Sequence, residues 1–528
     1  MSKSRNSGKP RVSRHLKIAL TALITIAIGL VAGVEYASHR IAPLMRQRVV
    51  DSLSNRFNSQ VQLQKFHLTF RQGLGVEGEK LSLRSNLYPD LPPQIGIGKF
   101  SFHAGLFDLF RSPMRIGSVK LQGLTINLPP KNERAAMPKA KGSGRGKISI
   151  VIDRIVCDDA LLLMMTDDPK KTPLEFDIHA LTMQNVGANH PMKFKAELVN
   201  PKPIGNIATA GNFGPWNSDE PHSTHVDGTY SFTNADLSTT HGITGILSSK
   251  GKYSGPLDTI TVDGETDTPD FSVDVSGHEL ALHTDFHAIV NGTNGNTYLE
   301  PVRAHFLNTD LTANGQVERG PNGKGHDITL DVVIGKGRIE DLLQMGASSD
   351  PVMTGAVHLK TKFHLPTGDA TVGQRLHLQG TFQVDRVNFT NSNIKRHVDE
   401  LSLRGQGKAD QAKALPQESS EIAPPLPDIP ATLQGTFSMA NRKIVLPYLE
   451  FKVPGADIQL AGKYSLDGNQ FDFAGHARLQ AHISGFVGGW KGKLLTPLDP
   501  FFAKNGAGTD VPIKITGTKS NPNFGLNF

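Results

Sequence analysis

The chain has 528 residues, with 38% hydrophobic and 20% charged side chains, one cysteine and a net charge of +7. The tail 1–17 carries +6 and the stretch 131–147 carries +5, leaving about −4 on the rest, too acidic a body for a nucleic-acid binder. A single cysteine excludes an internal disulfide and any four-cysteine zinc site, while 53 glycines and 33 prolines favour many turns over long helices.

Residues 16–34, LKIALTALITIAIGLVAGV, are long and apolar enough to span a bilayer as a helix. Six Lys/Arg and no acidic residue precede or open this run, which places the tail 1–17 in the cytoplasm and sends the rest of the chain across the membrane. A cleaved signal peptide is the alternative. The run is long for one, and Glu35-Tyr36-Ala37-Ser38 offers no small-x-small cleavage site. We therefore expect a transmembrane anchor at 18–38. Residues 41–57 then place Leu44, Met45, Val49, Leu53 and Phe57 on one face of a helix.

From Val61 the period changes to two. Phe66, Leu68 and Phe70 alternate with His67 and Thr69, and Leu81 and Leu83 follow in KLSLRS. Later, Ile328, Leu330, Val332 and Ile334 share one side of DITLDVVIG. Val357, Leu359, Phe363 and Leu365 alternate with His358, Lys360, Lys362 and His364. RLHLQGTFQV and DELSLRGQG, the latter with Leu401 and Leu403, repeat the pattern. One apolar and one solvated face is the signature of antiparallel sheet. Asp227-Gly228, Asp263-Gly264, Asn291-Gly292, Asn314-Gly315, Asn322-Gly323 and Asp467-Gly468 read as turns between such strands. No βαβ alternation occurs, so parallel pairing is not expected.

Residues 129–147 and 409–431 lack an apolar period and read as flexible linkers. They divide the chain into an N-terminal region 40–128, a β body 148–408 and a C-terminal β region 432–528. Residues 131–146, in particular, read as disordered and dispensable. Short helices are expected within 483–505, and VPIKITGTKSNPNFGLNF closes the chain as strand, turn, strand.

Few motifs carry chemistry. Gly73-Leu74-Gly75-Val76-Glu77-Gly78 matches the dinucleotide fingerprint, but a strand follows where that site needs a helix, so it reads as a glycine-rich hairpin turn. Cys157, in ISIVIDRIVCDDALLL, reads as a small buried hydrophobe. His283 and His287 lie about 13 Å apart along one strand face and cannot chelate one metal. The run Lys395-Arg396-His397 reads as a solvated face, with a phosphate or headgroup site as the alternative. No nucleophile elbow, P-loop or paired-carboxylate motif appears, so no catalytic residue, metal or cofactor is expected.

Three segments resemble the AsmA-like family of bacterial envelope proteins, which includes TamB- and YhdP-type members. They are VQLQKFHLTFRQGLGVEGEKLSLRSN with IGKFSFHAGLFDLFRSPMRIGSVKLQGLTINLPP, NGTNGNTYLEPVRAHFLNTDLTANGQVERG with GRIEDLLQM, and the ending VPIKITGTKSNPNFGL. The resemblance implies a long antiparallel sheet curled into a groove, a β-taco, anchored in the inner membrane with its bulk in the periplasm. It also implies movement of phospholipid towards the outer membrane. The partners would then be phospholipids, the membrane and an envelope protein at the far side. The residue pattern is compatible, since a one-sided apolar sheet must close over that face or fill it with ligand. On this reading Phe66, Leu68, Phe70, Leu81, Leu83, Ile328, Leu330, Val332, Val357, Leu359, Phe363, Leu365, Leu401 and Leu403 face the lipid. An envelope scaffold that assists outer-membrane protein assembly through exposed strand edges is the alternative. A hydrolase lacks any site constellation.

Overall fold

The structure, a computed structural model, describes residues 59–69, 74–86, 92–104, 114–128, 150–164, 174–187, 190–215, 221–240, 242–274, 276–292, 295–320, 325–346, 350–415, 429–488, 508–518 and 521–526, with isolated residues near 43–54, 496 and 499. The expected anchor at 18–38 and Phe70 lie outside the described residues, as do residues 131–146. No helix among the described residues is long and apolar enough to cross a membrane. The described residues are mainly β, built of hydrogen-bonded strands with a few short helices.

Two compact units divide the chain. The first comprises residues 1–239, 246–266 and 288–296. Its strands are β1 (Ser59–Thr69), β2 (Leu74–Ser85), β3 (Ile95–Ala104), β4 (Met114–Leu128), β5 (Ile150–Met164), β6 (Leu174–Val186), β7 (Met192–Pro201), β8 (Ile204–Phe213) and β9 (His225–Asp236). After the short β10 (Ile243–Thr244), β11 (Ile246–Pro256) pairs with β9. β12 (Ile260–Val273) and β13 (Leu280–Val290) are shared between the units.

From β1 to β9 each strand pairs antiparallel with the next, apart from one pair. β4 and β5 run parallel, from Met114↔Ile150 to Leu128↔Met164. This overturns the expectation of wholly antiparallel pairing. A parallel pair needs a long return connection, usually a helix. Here residues 129–149, without the apolar period of a crossover helix, make that connection.

A second feature of this unit is invisible to a period-two reading. The apolar pattern slips by one residue on every strand from β1 to β6: Leu63 to Phe66, Gly78 to Leu81, Ile97 to Phe100, Leu121 to Leu124, Cys157 to Ala160, and Ile178 to Leu181. The slips fall where the ladder skips a pair, at Lys80, Gly98, Gly123, Asp159 and His179. Lys80, Gly123 and Asp159 have positive φ of 52°, 63° and 54°. Both strands of each pair skip together, so the register is kept while the break turns each chain by one residue and holds its apolar side chains on one face. At Gly98 an added Cβ would stand 3.1 Å from the Gln122 carbonyl oxygen, so the neighbouring strand leaves little room for a side chain.

The second unit comprises residues 240–245, 267–287 and 297–528. Its strands are β14 (Thr297–Phe306), β15 (Thr309–Arg319), β16 (His326–Arg338), β17 (Met353–Leu365), β18 (His377–Phe389), β19 (Thr432–Ala440), β20 (Lys443–Val453), β21 (Ala456–Ser465), β22 (Gln470–Leu479), β23 (Thr509–Thr518) and β24 (Asn521–Leu526). They form an unbroken antiparallel succession. Neither expected domain boundary interrupts the pairing, because β4 pairs with β5 across 129–147 and β18 with β19 across 409–431.

The turns follow the expectation in part: Asn291-Gly292 lies between β13 and β14, and Asn322-Gly323 lies outside the described residues. Asp467-Gly468 does form a short 3₁₀ turn between β21 and β22. Asp227-Gly228, Asp263-Gly264 and Asn314-Gly315 lie inside β9, β12 and β15. Gly75 and Gly78 likewise lie inside β2 and not in a turn. Several such glycines sit beneath an aromatic ring of the next strand. A Cβ at Gly228 would stand 2.9 Å from Tyr253 Cζ, and one at Gly78 would overlap the Phe100 ring. The β19–β20 hairpin turns through Asn441-Arg442 instead, with φ of 49° and 58°, a primed turn built without glycine.

Helices close one end of the strands in the second unit. Ile339–Gly346 follows β16, and its buried Asp341 accepts hydrogen bonds from Thr309 Oγ1 at 2.7 Å and Asn308 N at 3.0 Å, which locks it to the β14–β15 turn. Ser392–Gly405 is an α-helix, which corrects the strand reading of DELSLRGQG. The alternation there spans too few residues to compete with the helical spacing of Val398 and Leu401, the Glu400–Arg404 pair at 2.8 Å and the Asn391 cap on Ile394 N at 3.2 Å. Ala409–Lys413 is helical and Ala431 is buried, so the ends of the expected linker 409–431 belong to the fold. Ile483–Val487 supplies a short helix, and β23 and β24 form the strand–turn–strand ending.

Candidate functional site: an apolar sheet face

Strand pairing in each unit aligns apolar side chains into rows across the sheet, because paired residues point to the same side. In the first unit one row runs Phe66–Gly78–Phe100–Leu121–Cys157–Leu181–Ala196–Thr209–Tyr230–Gly251, across β1 to β9 and β11. The part of this face on β1 to β6 is core. Val49 and Leu53, from the helix near residues 43–54, are completely buried in one cluster with Leu63, Leu81, Leu83 and Phe100, and Phe66 and Leu68 pack against it. Arg46 holds the helix to β1 by donating Nε to the Leu63 carbonyl at 2.9 Å. Leu81 and Leu83 are each 1% exposed, so protein covers them. Cys157 is buried as expected, and desolvation, with Asp158 and Asp159 nearby, pushes its thiol up to about 11, which keeps it protonated and inert.

Farther along, the same face becomes half-buried and carries hydroxyls. Tyr253 Oη lies 2.7 Å from Thr209 Oγ1, and Tyr230 Oη lies 3.1 Å from Ser249 Oγ.

The second unit holds a longer row of half-buried side chains. Leu299–Gly315–Leu330–Phe363–Leu378–Met439–Ile444–Tyr464–Phe471–Gly517–Pro522 crosses eleven strands, each step a cross-strand pair. From Leu299 to Gly517 every member is half-buried. Toward the helical end of the strands the face passes into a packed core of Ile334, Val357, Val384, Val387, Val453 and Leu479, with Leu359, Phe382, Leu401 and Ile429 against it.

This gradient sorts the expected residues. Ile328, Leu330, Val332, Val357, Leu359, Phe363 and Leu365 do share one face, in the pairs Ile328↔Leu365 and Leu330↔Phe363 and alongside Ile334↔Leu359. Val357, 1% exposed, is core, and Leu359 packs against that core. Ile328, Leu330, Val332 and Phe363 are half-buried, outside it. Leu401 and Leu403 belong to a helix, where two residues of separation put them on different sides. The face of β20 to β23 escaped the sequence reading. Its alternation was present, but a register shift between Leu446 and Leu449 breaks the period within β20.

The opposite face carries charged pairs, with exposed Val333, Val445 and Tyr448 among them. Lys65 meets Glu79 at 2.8 Å, His364 Nε2 lies 3.1 Å from both Asp327 oxygens, and Asp331 is opposite Lys362. The most organised group surrounds Glu450. Burial raises its carboxyl, but Lys452 Nζ at 2.8 Å together with Gln434 and Gln459 outweighs this and holds it below the usual range. A depressed carboxylate gives stability that is complete above the ordinary value of 4.5 and is lost as pH falls through the lower folded value. Urea midpoints of the wild type should therefore fall below about pH 4.5 more steeply than those of Glu450→Gln; identical slopes would show that this carboxylate is not responsible.

Among the described residues no group of His, Cys, Asp and Glu could hold a metal ion. What the geometry provides is extended apolar surface, wide on one side and walled by helices at one end. No family model, curated protein or solved structure matches the chain.

Proposed function

We propose that this chain is a lipid-binding and lipid-transfer protein of the bacterial envelope. Residues 18–38 anchor it in the inner membrane, the bulk lies in the periplasm, and acyl chains travel on the apolar sheet face, curled over them as a groove. Phospholipids are the cargo, and no reaction is catalysed. The observation that carries this reading is the half-buried row from Leu299 to Gly517. A row of that length costs solvation unless something apolar rests on it, at about 25 cal/mol for each Å² left wet. The loose resemblance to AsmA-like envelope proteins supports the same cargo.

A scaffold for envelope proteins is the second reading. It has in its favour the β24 strand, for which β23 is the partner on one side among the described residues, leaving an edge that an added strand would extend. Lipid extraction decides between them. The full chain purified in a non-ionic detergent should carry phospholipid, detected by mass spectrometry, well above an unrelated single-span protein prepared in parallel. Phospholipid at the control level would reject the transfer reading and favour the scaffold.

A further inference from the structure

A cavity of about 170 Å³ opens where β18 ends, beside the helix Ser392–Gly405 and residues 429–430. Its floor is apolar. Val387, Phe389 and Ile429 belong to the packed cluster that also holds Phe382 and Leu359, so the floor continues into the apolar face described above. Its polar lining combines both signs of charge. Arg386 is exposed, Lys395 is half-buried, and Asp399 is 2% exposed.

The backbone places Arg386 there. The β17–β18 ladder shifts between Thr354 and Ala356, and Arg386 has φ of 53°. As at Lys80 and Asp159, the left-handed residue lets the apolar pattern slip by one position. Here it keeps Val384 and Val387 both buried while the arginine between them stays in solvent.

Resting on the proposed lipid-transfer function, the geometry points to this cavity as a headgroup site for a zwitterionic phospholipid, one that joins a phosphodiester to an ammonium. The two cations suit the phosphodiester. Asp399 suits the ammonium and disfavours a headgroup that is anionic alone. A simple cation would meet Arg386 and Lys395. The acyl chains leave the cavity past Phe389 and Ile429 toward the sheet face.

The test uses the full chain in non-ionic detergent with three probes: dihexanoyl phosphatidylethanolamine, dihexanoyl phosphatidylglycerol and inorganic phosphate. The ethanolamine lipid should bind about tenfold more tightly than the glycerol lipid, and Lys395→Ala or Arg386→Ala should weaken it about tenfold. Both replacements are at solvent-accessible positions, and circular dichroism verifies their fold. Asp399→Asn should bring the ethanolamine lipid to the level of the glycerol lipid. If that buried change prevents folding, the comparison of the two lipids on the unaltered chain still decides. Equal binding of the two lipids overturns the inference. So does ethanolamine-lipid binding unchanged in both cation variants, which leaves lipid on the sheet face and the proposed function standing. Inorganic phosphate binding as tightly as the ethanolamine lipid assigns the cavity to a free anion and also overturns it. Absence of binding by every lipid, with no co-purifying phospholipid, rejects both readings together.

Discussion

Deleting residues 131–146 should destroy the first unit, although their composition suggests that nothing would be lost. The reason is length. β4 ends at Leu128 and its parallel neighbour β5 starts at Ile150, which is paired with Met114. The connection must therefore return along fourteen residues of strand, about 46 Å at roughly 3.3 Å each. The natural connection can reach about 75 Å when extended. After the deletion six peptide links remain, with a reach of about 21 Å. Parallel pairing then becomes impossible. An antiparallel alternative would reverse β5 and every strand that pairs onward from it. Ile152, Ile155, Cys157 and Ala160 would leave a core they share with β3 and β4, at roughly 2–3 kcal/mol for each large side chain. The deletion variant should aggregate or lose its cooperative thermal transition. A variant with 131–146 replaced by an equal number of glycines and serines should fold like the wild type. A deletion variant with unchanged circular dichroism and thermal midpoint would defeat the argument.

The second large effect concerns cargo. Phe363 pairs with Leu330 and Leu378 in the half-buried row, beyond the helix-walled core. Replacing Phe363 by Asp puts a charge on the proposed acyl path, where burial without a partner costs several kcal/mol, roughly a hundredfold or more in affinity. The backbone ladder is unaffected, and water can reach the site, so folding should survive with a loss of about 1–3 kcal/mol. Lys360, exposed on the other face opposite Val333 and Thr381, provides the control. Lys360→Asp should fold and retain lipid. Leu359→Asp is a poorer probe, since Leu359 pairs with Ile334, 2% exposed, and packs into core, so it should unfold the unit. Far-UV circular dichroism and phospholipid per chain measure these outcomes. Equal lipid content in folded Phe363→Asp and Lys360→Asp would remove the sheet face of β17 from the proposed path.

The sequence by itself determined the strand character of most of this chain and the side to which its side chains point. Alternation is a local property, so FHLT, KLSL, DITLDVVI and VHLKTKFHL could be read without knowing their neighbours. The burial of Cys157 was legible for the same reason. Tertiary structure decided everything that depends on a neighbour. Parallel pairing of β4 with β5 rests on which strand is adjacent, and no local pattern encodes that. The glycines at 78 and 228 looked like turn formers, yet they are required because rings of Phe100 and Tyr253 lie over them. Leu401 and Leu403 alternate like strand residues, but a cap at Asn391 and a core contact at Val398 and Leu401 make the segment helical. Finally, apolar alternation cannot tell core from open surface. Val357 and Phe363 stand in the same pattern on the same strand, and only the helices packed at one end bury the first and leave the second half-exposed.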